Sequence, residues 1–407
     1  MDQILYRVLS FDGGGIRGLY HAKLLESLQA SGLDLAQRAD VVAGTSTGAI
    51  VAAALAIGKK PDVISKLYAD VGQKVFPPRW WISRKTAWLR AKPSYSSAVL
   101  REALEKQLGK DTELGGCTKP RLMIPAISLN QYKLKVFDSK NESDKKRKLV
   151  DVVLASTAAP TYFLPAKVGE TYYVDGGLCC NNPGFRAVAQ LYDEGVELSR
   201  IYLLSISTGA VPVTKAGDEF TNLRMFRWIR PIINLAMSGS SDLAVQDGGL
   251  VGYHYRIDEN FDHEIDLDDY QKAKAILPAL AQGKADDAKV RTEVKRWFDE
   301  PAAAGLNFAG TWDTTYHWND QSDSDTLAVE QCGEHVVGET VGECQWSYTL
   351  SGTVQGEVCI GEWKGTKSSL RGNFLLIRSK ETETVSGQWV GTGDVSPYFG
   401  TWSWKRK

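Results

Sequence analysis

DVVAGTSTGAIVAAALAI, residues 40–57, is the stretch that decides the fold. A short strand, Asp40–Ala43, runs into Gly44-Thr-Ser46-Thr-Gly48, and an apolar helix follows over Thr47–Ile57. GxSxG between a strand and a helix is the context in which a serine is pushed out at a sharp turn. Backbone there is strained, and side chains flanking the serine would collide across the turn. Gly44 and Gly48 remove them. The helix that begins just after Ser46 points its positive end at negative charge developing near the hydroxyl.

Working outward, apolar strand-like runs alternate with helical patterns up to about residue 300, as in an α/β fold. Strands are expected at Leu5–Phe11, Arg121–Ser128, Lys133–Phe137, Tyr172–Val174 and Ile201–Ser205. Helices are expected at Leu19–Ala30, near Asp62–Val75, Ala98–Leu108, Leu149–Ser156 and Gly184–Tyr192, and as one Ala/Lys-rich pattern over Tyr270–Phe298. Pro301 and the following alanines read as a linker. The domains expected are therefore 1–300, a linker at 301–306, and 307–407.

The last of these has a different character. Short segments rich in Thr, Trp, Tyr and Val alternate with Gly-containing turns, with a loose refrain at Gly310-Thr-Trp312, Gly361-Glu-Trp363, Gly387-Gln-Trp389 and Gly400-Thr-Trp402. This predicts an antiparallel sheet closed into a small barrel, since closure removes exposed edges. The tryptophans have two accounts, as barrel core or as the lining of a cavity that holds a small ligand.

Bulk properties narrow the function classes. The 407 residues carry 48 basic and 49 acidic side chains, a net charge of −1, which gives no support for a nucleic-acid polymer as partner. No run of about 18 apolar residues is present, and the N-terminus has no basic region followed by a long apolar stretch. Six cysteines without CxxC spacing suggest neither a disulfide framework nor a metal site, so a reduced cytoplasmic compartment is expected.

Two further motifs carry chemistry. Asp12-Gly13-Gly14-Gly15-Ile-Arg17-Gly18 follows a strand and opens a helix. Its three glycines expose backbone N–H groups suited to an oxyanion hole, with Arg17 adding positive charge nearby. By itself the motif also resembles a dinucleotide fingerprint, but it lacks the Lys-Ser/Thr of a P-loop and a clear acidic partner. A serine nucleophile needs a base, and none of His21, His254, His263, His317 and His335 follows a strand end in a typical triad position. Asp175-Gly-Gly177 does end a strand, and a partly desolvated carboxylate bonded to Ser46 can accept its proton.

In that order, DGGGIRG at 12–18, GTSTG at 44–48, Ala155–Phe163, DGG at 175–177 and Asn181-Asn-Pro183 resemble the patatin-like phospholipase family. The likeness covers roughly residues 4–210, about half of the chain. It implies a three-layer α/β/α catalytic domain ahead of the β-rich domain. It also implies a Ser46–Asp175 dyad that cleaves fatty-acyl esters of phospholipids without metal or cofactor. The oxyanion hole it implies is drawn from Gly13, Gly14, Gly15, Arg17 and Thr47. Family members include storage-linked plant hydrolases, secreted bacterial toxins and nucleotide-activated anti-phage effectors. The compact bacterial type implies control by a small-molecule or protein activator or by a second subunit. A non-phospholipid esterase or an acyltransferase would use the same dyad. The class alternative is an idle scaffold whose β domain binds a ligand or partner. For reaching a membrane surface, residues 77–92 hold Trp80, Trp81, Arg84, Lys85 and Trp88, with no acid. Met225–Arg230 is a shorter stretch of the same type.

Overall fold

The computed structural model describes residues 5–77, 95–209, 229–246, 251–261, 265–299, 308–318, 321–332, 334–342, 347–355, 357–379, 384–392 and 397–407. The chain divides into two compact units, Tyr6–Phe298 and Asp299–Lys407 together with Met1–Leu5. The linker expected at 301–306 lies outside the described residues.

In the first unit the strands are β1 (Tyr6–Phe11), β2 (Val41–Gly44), β3 (Arg121–Ser128), β4 (Lys133–Asp138), β5 (Ala166–Val168), β6 (Thr171–Asp175), β7 (Ile201–Ile206) and β8 (Tyr253–Ile257). They form one sheet in the order β5-β6-β3-β2-β1-β7-β8, with β4 paired to β3. β3, β2, β1, β7 and β8 run parallel, while β4, β5 and β6 join antiparallel. The parallel strands are apolar on both faces because both are buried, which is why β1 and β7 read as near-continuous apolar runs. β5 and β8 were not expected from the sequence; β5 is only three residues long, and β8 carries His254 and Arg256 among its five residues.

Helices α1 (Gly18–Ala30), α2 (Leu35–Arg38), α3 (Thr47–Ala56), α4 (Pro61–Val75), α5 (Ser97–Leu108), α6 (Leu149–Thr157), α7 (Gly177–Cys180), α8 (Gly184–Asp193) and α9 (Ile229–Gln246) come next in the chain. On one part of the sheet α8 packs Ala187, Val188 and Leu191 against Val8, Val41, Ala43, Met123 and Leu203. The single helix expected over 270–298 is instead two, α10 (Tyr270–Asp286) and α11 (Ala288–Phe298). Asp287 is extended, and its carboxylate accepts from Lys289 N at 2.8 Å and Val290 N at 3.0 Å. An Asp capping the amides beyond it starts a new helix.

The second unit is the closed barrel expected of the tail. Its strands are β9 (Gly310–Trp318), β10 (Gln321–Cys332), β11 (His335–Thr340), β12 (Tyr348–Gln355), β13 (Val358–Gly365), β14 (Arg371–Arg378), β15 (Thr384–Thr392) and β16 (Pro397–Arg406). Each pairs antiparallel with the next, and β16 closes onto β9 with Trp402 opposite Tyr316. The Gly-x-Trp refrain has a geometric cause. Residues i and i+2 share a face, so glycine and tryptophan both point inward. Across the strands Trp363 lies opposite Gly372 and Trp389 opposite Gly400. A Cβ on Gly400 would lie 2.4 Å from the Trp389 ring. Trp312, Leu327, Leu350, Phe374, Leu376 and Trp404 fill the core.

Candidate active site

The carboxyl ends of β1, β2 and β7 lie side by side, which is where open α/β sheets place their ligands. β6 brings Asp175 to the same place by running antiparallel to the far part of β3, with Asp175 opposite Ala126. Ser46 sits between β2 and α3 with φ 54°, a left-handed value unusual for a residue with a side chain. The flanking glycines are required by close approach. A Cβ on Gly44 would lie 2.1 Å from the Gly48 carbonyl oxygen, and one on Gly48 would lie 2.3 Å from the Phe11 oxygen.

This corner aims the hydroxyl at the carboxylate. Ser46 Oγ donates to Asp175 Oδ2 at 2.6 Å, and Gly177 N–H donates to Oδ1 at 2.7 Å. Both residues are buried, Ser46 with 6% exposure and Asp175 with 3%. Burial raises the Asp175 pKa to about 6, against the lowering pull of its two hydrogen bonds. The carboxyl is thus a stronger base than an exposed one and is still ionised at neutral pH. The arrangement can remove a proton from Ser46 without an imidazole.

The histidines lie elsewhere. His21 is fully buried, with Nε2 at 3.0 Å from the Ser207 carbonyl oxygen, and burial pushes its pKa down to about 3. His254 Nε2 meets Ser205 Oγ at 3.3 Å, and burial lowers its pKa too. His317 and His335 belong to the barrel, and His263 lies outside the described residues.

The glycine loop is brought beside the dyad with a narrower donor set than expected. Gly13 N–H is spent on the Asn181 carbonyl at 3.1 Å, while Gly13 O accepts from Thr208 Oγ1 at 2.8 Å. Gly15 has φ 58° and lines the cavity at Ser46, and a Cβ there would strike the Leu267 carbonyl oxygen. That leaves the amides of Gly14 and Gly15, and of Thr47 in the first turn of α3, as candidate donors. Arg17 does not line the cavity. Its Nε donates to Gly14 O and its Nη1 to Gly209 O, each at 3.2 Å, so it ties the loop down from behind.

Below, Asp12 forms a two-pronged ion pair with Arg256, with Nη2 to Oδ2 at 2.6 Å. Burial still raises the Asp12 pKa.

A cavity opens from Ser46 and Asp175. Ser46, Thr47, Thr157 and Asp175 stand at its polar end. Leu67, Val75, Phe76, Leu100, Leu104 and Phe163, from α4, α5 and the segment after α6, make the rest apolar. Such a shape suits a long aliphatic chain whose polar end must stop at Ser46.

Two partners escaped the sequence reading. Ser156 Oγ accepts from Ser46 N–H at 3.0 Å and donates to Pro125 O at 2.7 Å, fixing the corner to β3. Tyr68 OH reaches the Thr47 carbonyl at 3.0 Å. Ser156 lies in the Ala155–Phe163 segment but was given no role there, and Tyr68 stands in no motif. Trp80, Trp81, Arg84, Lys85 and Trp88 lie outside the described residues, as do residues 225–228. Among the described residues no helix is long and apolar enough to cross a membrane.

The family model described as patatin-like phospholipase matches residues 9–188. A cGAMP-activated phospholipase of Escherichia coli is 34% identical, over 51% of this chain and 63% of its own length. The chain thus spans just under two thirds of that relative. A protein of the same name from Pseudomonas aeruginosa is 30% identical over 57% of this chain and 71% of its own. One from Vibrio cholerae is 27% identical over 68% and 89%.

Proposed function

The chain belongs to the patatin-like phospholipase family, and from that premise we propose that it is a serine acyl hydrolase that cleaves fatty-acyl esters of phospholipids with a Ser46–Asp175 dyad. The observation that carries this reading is the 2.6 Å hydrogen bond from Ser46 Oγ to a buried carboxylate, made at the polar end of an apolar cavity.

Asp175 takes the hydroxyl proton as Ser46 Oγ attacks the ester carbonyl carbon. The carbonyl π electrons move onto oxygen, and the amides of Gly14, Gly15 and Thr47 receive that charge. As the tetrahedral centre collapses, the bond to the leaving oxygen breaks. Protonated Asp175 returns its proton to the departing lysolipid or alcohol. Water, deprotonated by the same carboxylate, then attacks the acyl-Ser46 ester; as the acyl–oxygen bond breaks, Asp175 returns the proton to Ser46 Oγ and the fatty acid leaves.

Release of fatty acid from mixed phospholipid vesicles by wild type, Ser46→Ala and Asp175→Ala tests the assignment. Each variant should lose at least about a thousandfold in rate while keeping its fold. Substantial hydrolysis by either variant would overturn the dyad. A wild type that neither releases acid nor labels at Ser46 with a fluorophosphonate would overturn the enzyme reading altogether.

Control by a small molecule is part of the proposal, since the three relatives are cGAMP-activated phospholipases. Addition of cGAMP to the full chain should raise vesicle hydrolysis, and an unchanged rate with active enzyme would remove this activator. Peripheral contact with the membrane surface follows from the substrate class.

A further inference from the structure

The barrel holds a second cavity, and nothing in ester hydrolysis uses it. It lies at the end of the barrel where β13 passes into β14. Five aromatic rings line it: Tyr316, Tyr348, Trp363, Trp389 and Trp402. Among the described residues, no charged side chain joins the lining.

The rings are held in place. Trp363 and Trp389 meet edge to face with centroids 5.6 Å apart, and Tyr348 and Trp402 are 5.3 Å apart. Gly391 and Gly400 make that possible, because a Cβ at either would lie 2.7 Å from Trp363 or 2.4 Å from Trp389. Lower in the barrel, Trp312 and Trp404 pack into a filled core, so the opening among the upper rings is not a general property of the barrel. Behind the wall stands one carboxylate. Asp325 Oδ1 accepts from Tyr348 OH at 3.2 Å and from Thr314, and its Oδ2 is buried with no hydrogen-bond partner.

Aromatic faces are electron-rich, and a carboxylate within one side chain adds to the same sign of field. A phosphate or carboxylate ligand would find no cation on these walls. A sugar needs many directed hydrogen bonds, yet the walls offer few hydroxyls, and Ser347 Oγ is already engaged with Thr340 at 3.0 Å. An ammonium whose protons are replaced by methyl groups needs none, and binds aromatic faces by charge and contact. We infer that this cavity binds an organic cation of the quaternary or methylated ammonium class, either free or as the headgroup of a lipid.

The test uses the full chain and its tryptophan emission. Titration with choline chloride or tetramethylammonium chloride, at ionic strength held constant with sodium chloride, should give a saturable change. The uncharged isostere of choline, with carbon in place of nitrogen, should bind much more weakly. Trp363→Phe and Trp389→Phe should each weaken choline by roughly threefold to thirtyfold, with the β-type circular dichroism kept. Should these variants misfold, Asp325→Asn and the isostere comparison on wild type carry the test. Retention on phosphatidylcholine but not phosphatidylglycerol vesicles, competed by choline, would identify the lipid headgroup as the source. Choline binding in solution without such retention would identify a free cation. The inference is overturned if wild type shows no saturable response to either cation, or if the isostere binds as tightly as choline.

Discussion

Burial holds the Asp175 carboxyl at a pKa of about 6, and this acts in opposite directions on activity and stability. A base must be ionised, so kcat/KM on a soluble ester should rise with pH through about 6 and level off above it. A flat profile down to about pH 4.5 would remove Asp175 as the base. Stability runs the other way. The folded pKa is raised above the ordinary value of 3.8, so folding favours the protonated form. That contribution is fully present below pH 3.8 and is lost as pH rises through about 6. The difference of about 2.2 pH units corresponds to on the order of 3 kcal/mol. Asp175→Asn, which cannot ionise, should therefore gain on wild type by about that amount between about pH 4 and pH 7.5, read by urea unfolding at both. An unchanged gap would mean the carboxyl is not held up by burial. At this scale the candidate site was legible, because acyl transfer demands particular residue types at short spacing, as at 12–18, 44–48 and 175–177. The partners that hold those residues were not. Ser156 bonds through its hydroxyl and Asn181 through its main-chain carbonyl, and although both lie in the quoted segments, nothing in their sequence spacing shows which backbone group they meet.

Elements decide how Ser46 and Asp175 are brought together and what can reach them. The corner between β2 and α3 works only while Gly44 and Gly48 let the helix start against the ends of β2 and β1. Gly44→Ala puts a methyl 2.1 Å from a backbone oxygen that cannot swing aside. We expect a loss of about 1–3 kcal/mol by urea unfolding, and a fall in fluorophosphonate labelling of Ser46 beyond any change in folded fraction. Wild-type stability and labelling in the variant would show that the corner is looser than drawn. Helices α4 and α5 set the cavity instead. Leu104 is fully buried and lines it, so Leu104→Trp should shorten the space for an acyl chain. Hydrolysis of long-chain esters should drop about tenfold or more while a short-chain ester is cleaved nearly as before. An equal loss on both would make Leu104 a matter of packing alone. This lining could not be read from the sequence, because an apolar helix face that covers a core and one that covers a lipid chain have the same pattern. The expected helix over 270–298 missed its break for a related reason: Asp287 caps the amides of Lys289 and Val290 with its carboxylate, and helical periodicity does not register a cap.

At the scale of the whole molecule, one chain carries two cores. Among the described residues, the barrel core runs from Phe308 to Trp404. Closure was legible from the short β-type segments and the Gly-x-Trp refrain, but the cavity was not, since tryptophans that fill a barrel and tryptophans that ring a void repeat alike. Separate cores imply separable stabilities. Trp312 is the residue on which to test this: it is fully buried, packs on Trp404 with centroids 6.0 Å apart, and donates its indole N–H to Phe308 O at 2.8 Å. Trp312→Ala removes that packing and leaves a buried carbonyl without its donor, a loss of about 3–5 kcal/mol confined to the barrel. Calorimetry of the full chain should then show one transition shifted down and another in place, with Ser46 still labelled by a fluorophosphonate at the wild-type rate. If both transitions move together, or labelling fails while the barrel melts, the units fold as one. Any ligand of the barrel could then reach the dyad through stability alone, because whatever binds the folded state of one core would stabilise the other.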